Sequence, residues 1–514
     1  KKSKWTKHNG EQQDQIYQPV IMRQQQKFTF VFGRFQINQN QNIKLPKVAF
    51  RGATSHIVRQ LFNEAGFKQA VTDKFNVCWG CPKNKIKFVK QMAPFQILSQ
   101  IPGQDALTLK DNLADSLINF RQKFPSIQQF WPQSFRMPSD KQQLLNDMKN
   151  NPEKIYIQKY AAAARGIGIK LLASGDSFLN NTRCVVQSYI TNPLLINGYK
   201  FDLRIYVVVT NLDPFTVYVY EQGLGRIATE QYQEPNAQNM RKKVMHLTNY
   251  SVNKHNASFK VNSRPLTSLP KNTQKPTPVD SLNLKFEDLA PEIDSTSDFE
   301  EEEQENEIGS KIRLTDVWEY VDAHPELFDA DFLSQVNQKI SLHLKQKLHH
   351  LIRMTMLAGY TSMVTKSTLA HANVFPRKTF GYYGFDVMIL KSGELKLIEV
   401  NVCPSTGTAS DLDKEVKTAM LTDMFNLIGF QTKLDKKNVI QVPQMKTEGQ
   451  QVKMKFSMKG TEISEYEQMC FGQLKSETLR QGGYIRLLPH ADYTQFISEH
   501  RQINQMAIDF IKNG

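Results

Sequence analysis

The stretch "YYGFDVMILKSGELKLIEVNVCPS" (residues 382–405) reads as a β-hairpin that carries an anomaly. Alternating apolar residues mark two half-buried strands, and Lys391-Ser392-Gly393-Glu394 supplies a short turn between them. With Ser392 and Gly393 as the loop, Asp386 stands directly opposite Glu399. Asn401 shares the face of Glu399, because strand side chains repeat every second residue. Val387, Ile398, Val400 and Val402 then make the apolar face. Two facing carboxylates repel unless a cation or a shared proton intervenes. Mg²⁺ carrying phosphates meets that need, since it takes hard oxygen ligands and leaves outer positions to substrate oxygens. The competing reading is a wet polar face on a half-buried hairpin.

Upstream, Lys159 lies in a strand-like run, "KIYIQKY" (154–160), and "AAAARGIGIKLL" (161–172) follows at once. Gly166 and Gly168 let the backbone approach a ligand closely, and successive amide N–H groups there suit phosphate oxygens. Lys159 reaches toward the same phosphates, with Arg165 as a further cation in the loop; an ordinary turn is the alternative. In "YKFDLRIYVVVT" (199–210), Lys200, Asp202, Arg204 and Tyr206 share one face, opposite Phe201, Leu203 and Ile205. A buried Lys–Asp–Arg row needs partners, which a triphosphate and a carboxylate substrate provide; an exposed, salt-bridged face is the alternative. "FTVYVYEQGLGRIA" (215–228) pairs with this strand through a turn at Asn211, Asp213 and Pro214, and brings Arg226 into reach. His246 in "MHLTNYSVNK" reads as a structural histidine rather than a base.

The remaining chain sets the frame. "FWPQSFRMP" (130–138) is expected to be a rigid connector, and "DKQQLLNDMKN" (140–150) a helix capped by Asp140 or Ser139. Residues 255–310 are rich in Pro, Ser, Thr and Asn and end in "DFEEEEQENE" (298–307), the pattern of a disordered acidic insertion. Helical periodicity returns at 315–320 and 331–357, and "SDLDKEVKTAMLTDMFNLIG" (410–429) is a closing helix. A strand is expected near 450–458, and helices near 462–471 and 493–511. The Gly-rich loop sits among antiparallel strands, which is not the strand–glycine loop–helix order of a dinucleotide fold.

Of 514 residues, 40% are hydrophobic and 22% charged, enough for a substantial core, and the formal net charge is +15. That balance favours acidic partners, but no aromatic–basic motif supports nucleic acid. Five cysteines without a framework point to a reducing compartment. Cys78 and Cys81 lack a second C-x-x-C, which argues against zinc. No apolar run reaches transmembrane length. The chain opens "KKSKWTKHNG" with no apolar segment behind it, against a signal peptide, and without an initiator Met, as a partial chain would.

Taken in order, "FWPQSFRMP", "AAAARGIGI", "VVQSYITNPLLINGYKFDLRIYVVVT", "GLGRIA", "HLTNYSVNK" and "GFDVMIL…LKLIEVNVCPS" resemble the tubulin–tyrosine ligase-like family of ATP-grasp amino-acid ligases. The resemblance covers roughly residues 75–256 and 312–432. "SQIPG" (99–103) and Tyr160 depart from the family pattern, as does "LKLIEVN" before Asn401.

The resemblance implies an α+β chain: an ATP-grasp fold with a small amino-terminal α/β domain. On this reading residues 1–44 are a flexible basic, Gln-rich segment, with strand alternation in "KFTFVFGRF" (27–35), and 45–135 the small domain. Residues 136–240 and 241–435 form the central and carboxy-terminal ATP-grasp domains, the second interrupted at about 257–310, and 436–514 a basic appended region. It implies ATP and Mg²⁺ as cofactors. Lys159 and Lys200 become nucleotide-contacting lysines; Gln187, Ser188, Tyr189 and Ile190 the adenine hinge; Thr248 and Asn249 part of the ATP site. Asp386, Glu399 and Asn401 become the metal and phosphate ligands. Asp202, Arg204 and Arg226 serve the substrate and phosphate end, with Lys110 reaching in from the amino-terminal part.

The implied activity adds free glutamate to acidic tubulin carboxy-terminal tails, or to other acidic proteins, through an acyl phosphate. A mobile loop, with "YAAAARGIG" as the candidate, would keep water out. The implied protein is a monomer of the cytoplasm and cytoskeleton, with cilium or basal body as further sites, and needs neither nucleic acid nor membrane. Glycine addition, or a silent microtubule-binding member of the family, remain as alternatives.

Overall fold

The computed structural model describes residues 46–93, 95–164, 166–178, 182–253, 311–370, 378–430, 457–458, 461–462, 465–497 and 501–513. The expectations for the amino-terminal segment, the 257–310 insertion and Arg165 lie outside these residues.

Near the amino terminus, β1 (Lys47–Arg51), β2 (Lys68–Gln69), β3 (Val77–Gly80) and β4 (Ile97–Leu98) form a parallel sheet in the order β2-β1-β3-β4. Helices α1 (His56–Glu64) and α2 (Lys85–Gln91) connect its strands, and α3 (Asp105–Thr108) and α4 (Lys110–Lys123) lead away from it. A second, antiparallel sheet follows in the order β5-β8-β6-β7, from β5 (Ser134–Met137), β6 (Tyr156–Tyr160), β7 (Lys170–Leu172) and β8 (Cys184–Ser188). Helix α5 (Lys141–Asn150) covers it through Leu144 and Met148.

Two expectations are corrected here. Residues 134–137 are a strand rather than a connector, because the alternating "SFRM" buries Phe135 and Met137 while pairing with β8. Asp140 stands at the N-cap of α5 but makes no side-chain cap bond. Its carboxylate instead accepts from the backbone N and the guanidinium of Arg136, at 2.8 and 2.9 Å, a charge-assisted alternative.

The largest sheet runs β12-β11-β10-β13-β14, from β10 (Tyr199–Leu212), β11 (Phe215–Gln231), β12 (Lys311–Arg313), β13 (Gly381–Ile389) and β14 (Leu395–Val402), with β9 (Leu195–Ile196) on β10. Its two faces follow the two-residue repeat. Leu203, Ile205, Val207 and Val209 of β10, with Tyr383, Phe385 and Val387 of β13, enter one core. That core is closed by α4, α8 (Leu314–Ala323) and the long α10 (Ile340–Leu369). Tyr206, Val208 and Tyr382 point the other way, onto α11 (Asp411–Ile428) and the amino-terminal sheet. The short helices α6 (Lys243–His246) and α7 (Tyr250–Asn253) follow β11, and α9 (Ala330–Leu333) precedes α10.

The turn of the β13–β14 hairpin differs from the expected two-residue loop. Leu390 N donates to Glu394 O, so Lys391, Ser392 and Gly393 form the loop, and Gly393 adopts φ +66°. A register shift between Asp386 and Val387 then brings Asp386 opposite Glu399 after all. The extra residue is Ile398, which turns to the cleft beside Glu399 instead of joining Val400 in the core, as a bulge allows. Val402 is 37% exposed, so the apolar face ends at Val400.

The carboxy-terminal residues were expected to form an appended region. A small hairpin, β15 (Ser457–Met458) and β16 (Thr461–Glu462), precedes α12 (Glu465–Thr478); β17 (Tyr484–Leu488) and α13 (Arg501–Asn513) follow. Strand β17 pairs with β11 at Val217–Tyr220 and extends the main sheet. Thr210 and Tyr218 both donate to Glu477 Oε2 at 3.0 Å, and Phe215 N donates to Asn504 Oδ1 at 2.8 Å. Asn504→Ala, which strips a partner from a buried main-chain donor, is expected to cost about 1–3 kcal/mol in urea unfolding.

Candidate active site

Lys200 and Asp202 near the amino-terminal end of β10, together with their cross-strand neighbours, floor a cleft that is partly open to solvent. Register sets which charges meet. Asp202 lies opposite Arg226, Arg204 opposite Asp386, and Asp386 opposite Glu399. Arg226 donates through Nε and Nη2 to Asp202 at 2.6 Å each, and its Nη2 also donates to Asp386 at 2.7 Å. Arg204 grips Asp386 at 2.6 and 3.1 Å. Thr248 donates to Asp202 at 2.6 Å. Burial opposes the charge of Asp386, but the two guanidiniums outweigh it and hold the carboxyl well below the ordinary carboxylate range.

Asn401 bridges the facing carboxylates, donating to Glu399 Oε1 at 3.0 Å and Asp386 Oδ2 at 3.3 Å. Lys110 Nζ lies 3.2 Å from Glu399 Oε2 and donates to Ala163 O at 2.6 Å. The repulsion that the sequence left unresolved is therefore already met by two arginines, a lysine and an amide, so a metal is not required merely to hold the strands together. The donor set still fits Mg²⁺: two carboxylates and an amide side chain converge where Glu399 borders the cleft. Among the described residues no trio of His, Cys, Asp or Glu forms a metal site, which leaves the amide oxygen of Asn401 as the third hard donor.

Lysines line the opposite wall. Lys159, next to last in β6, is buried and donates to Gln187 Oε1 at 2.9 Å. Lys200 donates to the Tyr189 hydroxyl at 2.6 Å and lies 4.2 Å from the centre of that ring. The Tyr189 hydroxyl meets His246 Nδ1 at 3.0 Å, and His246 Nε2 meets Asn239 O at 3.1 Å. With Nε2 protonated and Nδ1 accepting, His246 is a neutral spacer that orients Tyr189, and burial holds its pKa down. Gln187, Ser188, Tyr189 and Ile190 line the cleft together with Ile157, Ile169 and Leu247, an apolar slot suited to a flat ring. Gly166 and Gly168 have φ +76° and +67°, and Gly166 and Asn249 line the same cleft. Among the described site residues, all but Gly168, Arg204 and Asn401 line this one cleft; Arg204 and Asn401 stand beside it, hydrogen-bonded to Asp386 and Glu399. Met388 and Ile398 also line it: Met388 shares the Asp386 face by the two-residue repeat and was overlooked as an apolar strand residue, and only the bulge turns Ile398 inward.

Burial pushes Lys159 down to about 8 and Lys200 down to about 7, each against nearby carboxylates. The unfolded chain keeps both protons to about pH 10. Burying these charges therefore costs most below the folded values, and the unliganded fold gains stability as pH rises from about 7 to about 10. A polyphosphate restores the protonated forms, so its binding should take up protons above about pH 7 and weaken by up to about tenfold per pH unit for each lysine, as calorimetry in buffers of different ionisation heat would show. Asp386→Ala leaves the buried Arg226 and the half-buried Arg204 without their shared partner and should cost about 3–5 kcal/mol in chemical denaturation.

Comparison with known proteins adds the family. The family described as "Tubulin-tyrosine ligase family" matches residues 88–287 and 322–438, over half of the chain. The chain is 26% identical over 443 residues to mouse "Tubulin polyglutamylase TTLL13", covering 85% of this chain and 48% of that protein. It is 28% identical over 435 residues to the Tetrahymena thermophila "Probable beta-tubulin polyglutamylase" (81% and 31% covered), and 28% identical over 391 residues to human "Tubulin monoglutamylase TTLL4" (75% and 28% covered). The chain therefore spans less than half the length of these relatives. The matched residues contain the cleft and the charged sheet face described above, and this chain belongs to the tubulin-tyrosine ligase family.

Proposed function

We propose that the chain is an ATP-grasp ligase that uses Mg-ATP to join glutamate to glutamate side chains of acidic protein tails, with tubulin as the acceptor. The observation that carries this reading is the register of β10, β11, β13 and β14. It gathers Lys110, Arg204 and Arg226 around Asp386, Glu399 and Asn401, with buried Lys159 and Lys200 across the cleft. The names of the relatives and the +15 charge support tubulin tails as the acceptor, and with them a place on the cytoskeleton. Among the described residues no helix is long and apolar enough to cross a membrane.

In this mechanism the adenine lies in the slot between Tyr189, Ile190 and Leu247. Lys159, Lys200 and the loop at Gly166–Gly168 hold the phosphates. Asp386, Glu399 and Asn401 would hold Mg²⁺, which would neutralise phosphate charge when bound. The acceptor carboxylate attacks the γ-phosphorus; the bond to the β-phosphate oxygen breaks and ADP leaves. The amine of the incoming amino acid then attacks the acyl carbon, phosphate leaves, and an isopeptide bond results. Such transfer needs positioning and charge neutralisation more than covalent help, and Arg204, Arg226 and Lys110 provide both. The side chain of Lys110 reaches from α4 to Glu399, so the amino-terminal part completes the site.

The deciding assay offers the protein tubulin, Mg-ATP and labelled glutamate, glycine or tyrosine in turn, with mass spectrometry of the tails. Label from glutamate is expected; label from glycine alone would reassign the added residue, and ATP-independent binding alone would make the chain a silent family member. Glu399 is partly open to the cleft and carries one ion pair, so Glu399→Gln is expected to leave Tm nearly unchanged while lowering ligation at least about a hundredfold. Undiminished turnover by that variant would remove Glu399 from the metal site.

A further inference from the structure

The loop "SQIPG" (99–103), where the chain departs from the family pattern, carries a tie that the ligase mechanism does not use. It leaves β4 and leads into α3, whose N-cap residue is Gln104. Gln100 and Gln104 are 2% and 1% exposed, so each amide must find its partners inside the protein. They find them in series. Tyr383 donates its hydroxyl to Gln104 Oε1 at 3.2 Å, and Ile101 N donates to the same oxygen at 3.0 Å. Gln104 Nε2 donates to Gln100 Oε1, and Gln100 Nε2 donates to Cys403 Sγ at 2.8 Å. Gly103, at φ +87°, presses so closely on α10 that a Cβ there would stand 2.4 Å from Ser362 O. The loop is thus held between α10 and the β13–β14 hairpin.

Both ends of this amide chain lie on the hairpin that carries Asp386, Glu399 and Asn401. Tyr383 on β13 faces Val402 on β14, and Cys403 follows Val402 directly. Cys403 N donates to Tyr382 O at 3.0 Å, which continues the ladder to the point where the chain turns away. At φ +43° Cys403 occupies the left-handed region, which glycine or asparagine adopts more readily. Its thiol, accepting the amide N–H, fixes this turn two residues past Asn401. At the other end of the same segment, Lys110 opens α4 and lies 3.2 Å from Glu399 Oε2. Residues 100–110 therefore tie onto β14 on either side of Asn401, at Cys403 and at Glu399. Leucine would fill position 100 with no amide to satisfy. The glutamine pair instead costs desolvation and gives direction, as a buried polar network does when each member has its partner.

We infer that Gln100 and Cys403 are positioning residues for the metal site: their contact sets the backbone that follows Asn401, and with it the aim of the Asn401 side chain toward the ion that Asp386 and Glu399 would share. The inference rests on the metal assignment within the ligase reading. Neither side chain lines the nucleotide cleft, so both act through Asn401. Burial pushes the Cys403 thiol up to about 12, so it serves as an uncharged acceptor, a part that serine can play and alanine cannot.

The test titrates Mn²⁺, as the metal probe, into the whole chain loaded with a non-hydrolysable ATP analogue and follows it by electron paramagnetic resonance. The native protein is compared with Gln100→Leu, Cys403→Ala and Cys403→Ser. Analogue affinity without divalent metal and thermal unfolding are recorded for each. Gln100→Leu and Cys403→Ala are expected to weaken Mn²⁺ binding about tenfold with metal-free analogue affinity unchanged, and Cys403→Ser to stay within about threefold of native. If Gln100→Leu does not fold, Cys403→Ala set beside Cys403→Ser decides the matter. Native Mn²⁺ affinity in Gln100→Leu and Cys403→Ala, an equal loss in Cys403→Ser, or a matching loss of metal-free analogue binding overturns the assignment. So does a native chain that holds Mn²⁺ no more tightly than the free analogue does. Ligation of labelled glutamate, run in parallel, separates the two claims. The expected Mn²⁺ pattern without ligation keeps the positioning residues and removes the ligase reading; ligation with Mn²⁺ binding untouched in the variants does the reverse.

Discussion

A single buried carboxylate organises this protein. Asp386 sits at the centre of the largest sheet, gripped by Arg204 from one neighbouring strand and reached by Arg226 from the next. Arg226 is buried and Arg204 only 14% exposed, so the buried carboxylate and its two guanidiniums depend on one another. The arrangement ties β10, β11 and β13 together on their polar face while Leu203, Val207 and Phe385 tie them on the opposite face. It also leaves Glu399 bordering the cleft, bridged to Asp386 by Asn401. Stability and chemistry thus draw on the same side chains, and a variant at Asp386 reports on both, whereas Glu399 borders the cleft and separates them.

The same sheet face serves two purposes along its length. Where β10 reads Lys200, Asp202, Arg204, the face is polar and open to the cleft. Where it continues as Tyr206 and Val208, the face is covered by α11 and the amino-terminal sheet, with Tyr206 and Tyr382 stacked 6.2 Å apart. The change from charged to aromatic marks the edge of the site. The cover brings α11 over this edge, and with it Asp413 and Lys417. Beyond the family-matched residues, β17, α12 and α13 close the far edge of β11 through Glu477 and Asn504. They complete a sheet whose exposed edge would otherwise invite pairing with another chain.

Charge balance gives the cleft its direction. At one end two buried lysines lie beside an apolar slot, and their depressed pKa values record the cost of holding positive charge without an anion. At the other, Lys311 and Lys417 share a single aspartate. Between them the carboxylates of Asp386 and Glu399 are the places where a cation can sit.

Local pattern was enough to identify the alternating faces of β10, the hairpin at 382–405 and the helix at 411–428, because these signals are two- and 3.6-residue periodicities set by burial on one side. It also picked out Lys159, Lys200, Asp202, Arg204, Asp386, Glu399 and Asn401, since charged residues interrupting apolar strands are costly unless something uses them. The facing of Asp386 and Glu399 was reached by assuming a two-residue turn; the molecule reaches it with a three-residue turn and a bulge at Ile398, two departures that cancel. Which guanidinium serves which carboxylate, the place of Lys417 beside Arg204, and the joining of β17 to β11 depend on contacts between residues up to hundreds of positions apart. Such pairings are chosen by packing and register, which no local window of sequence contains, and only the folded chain decides them.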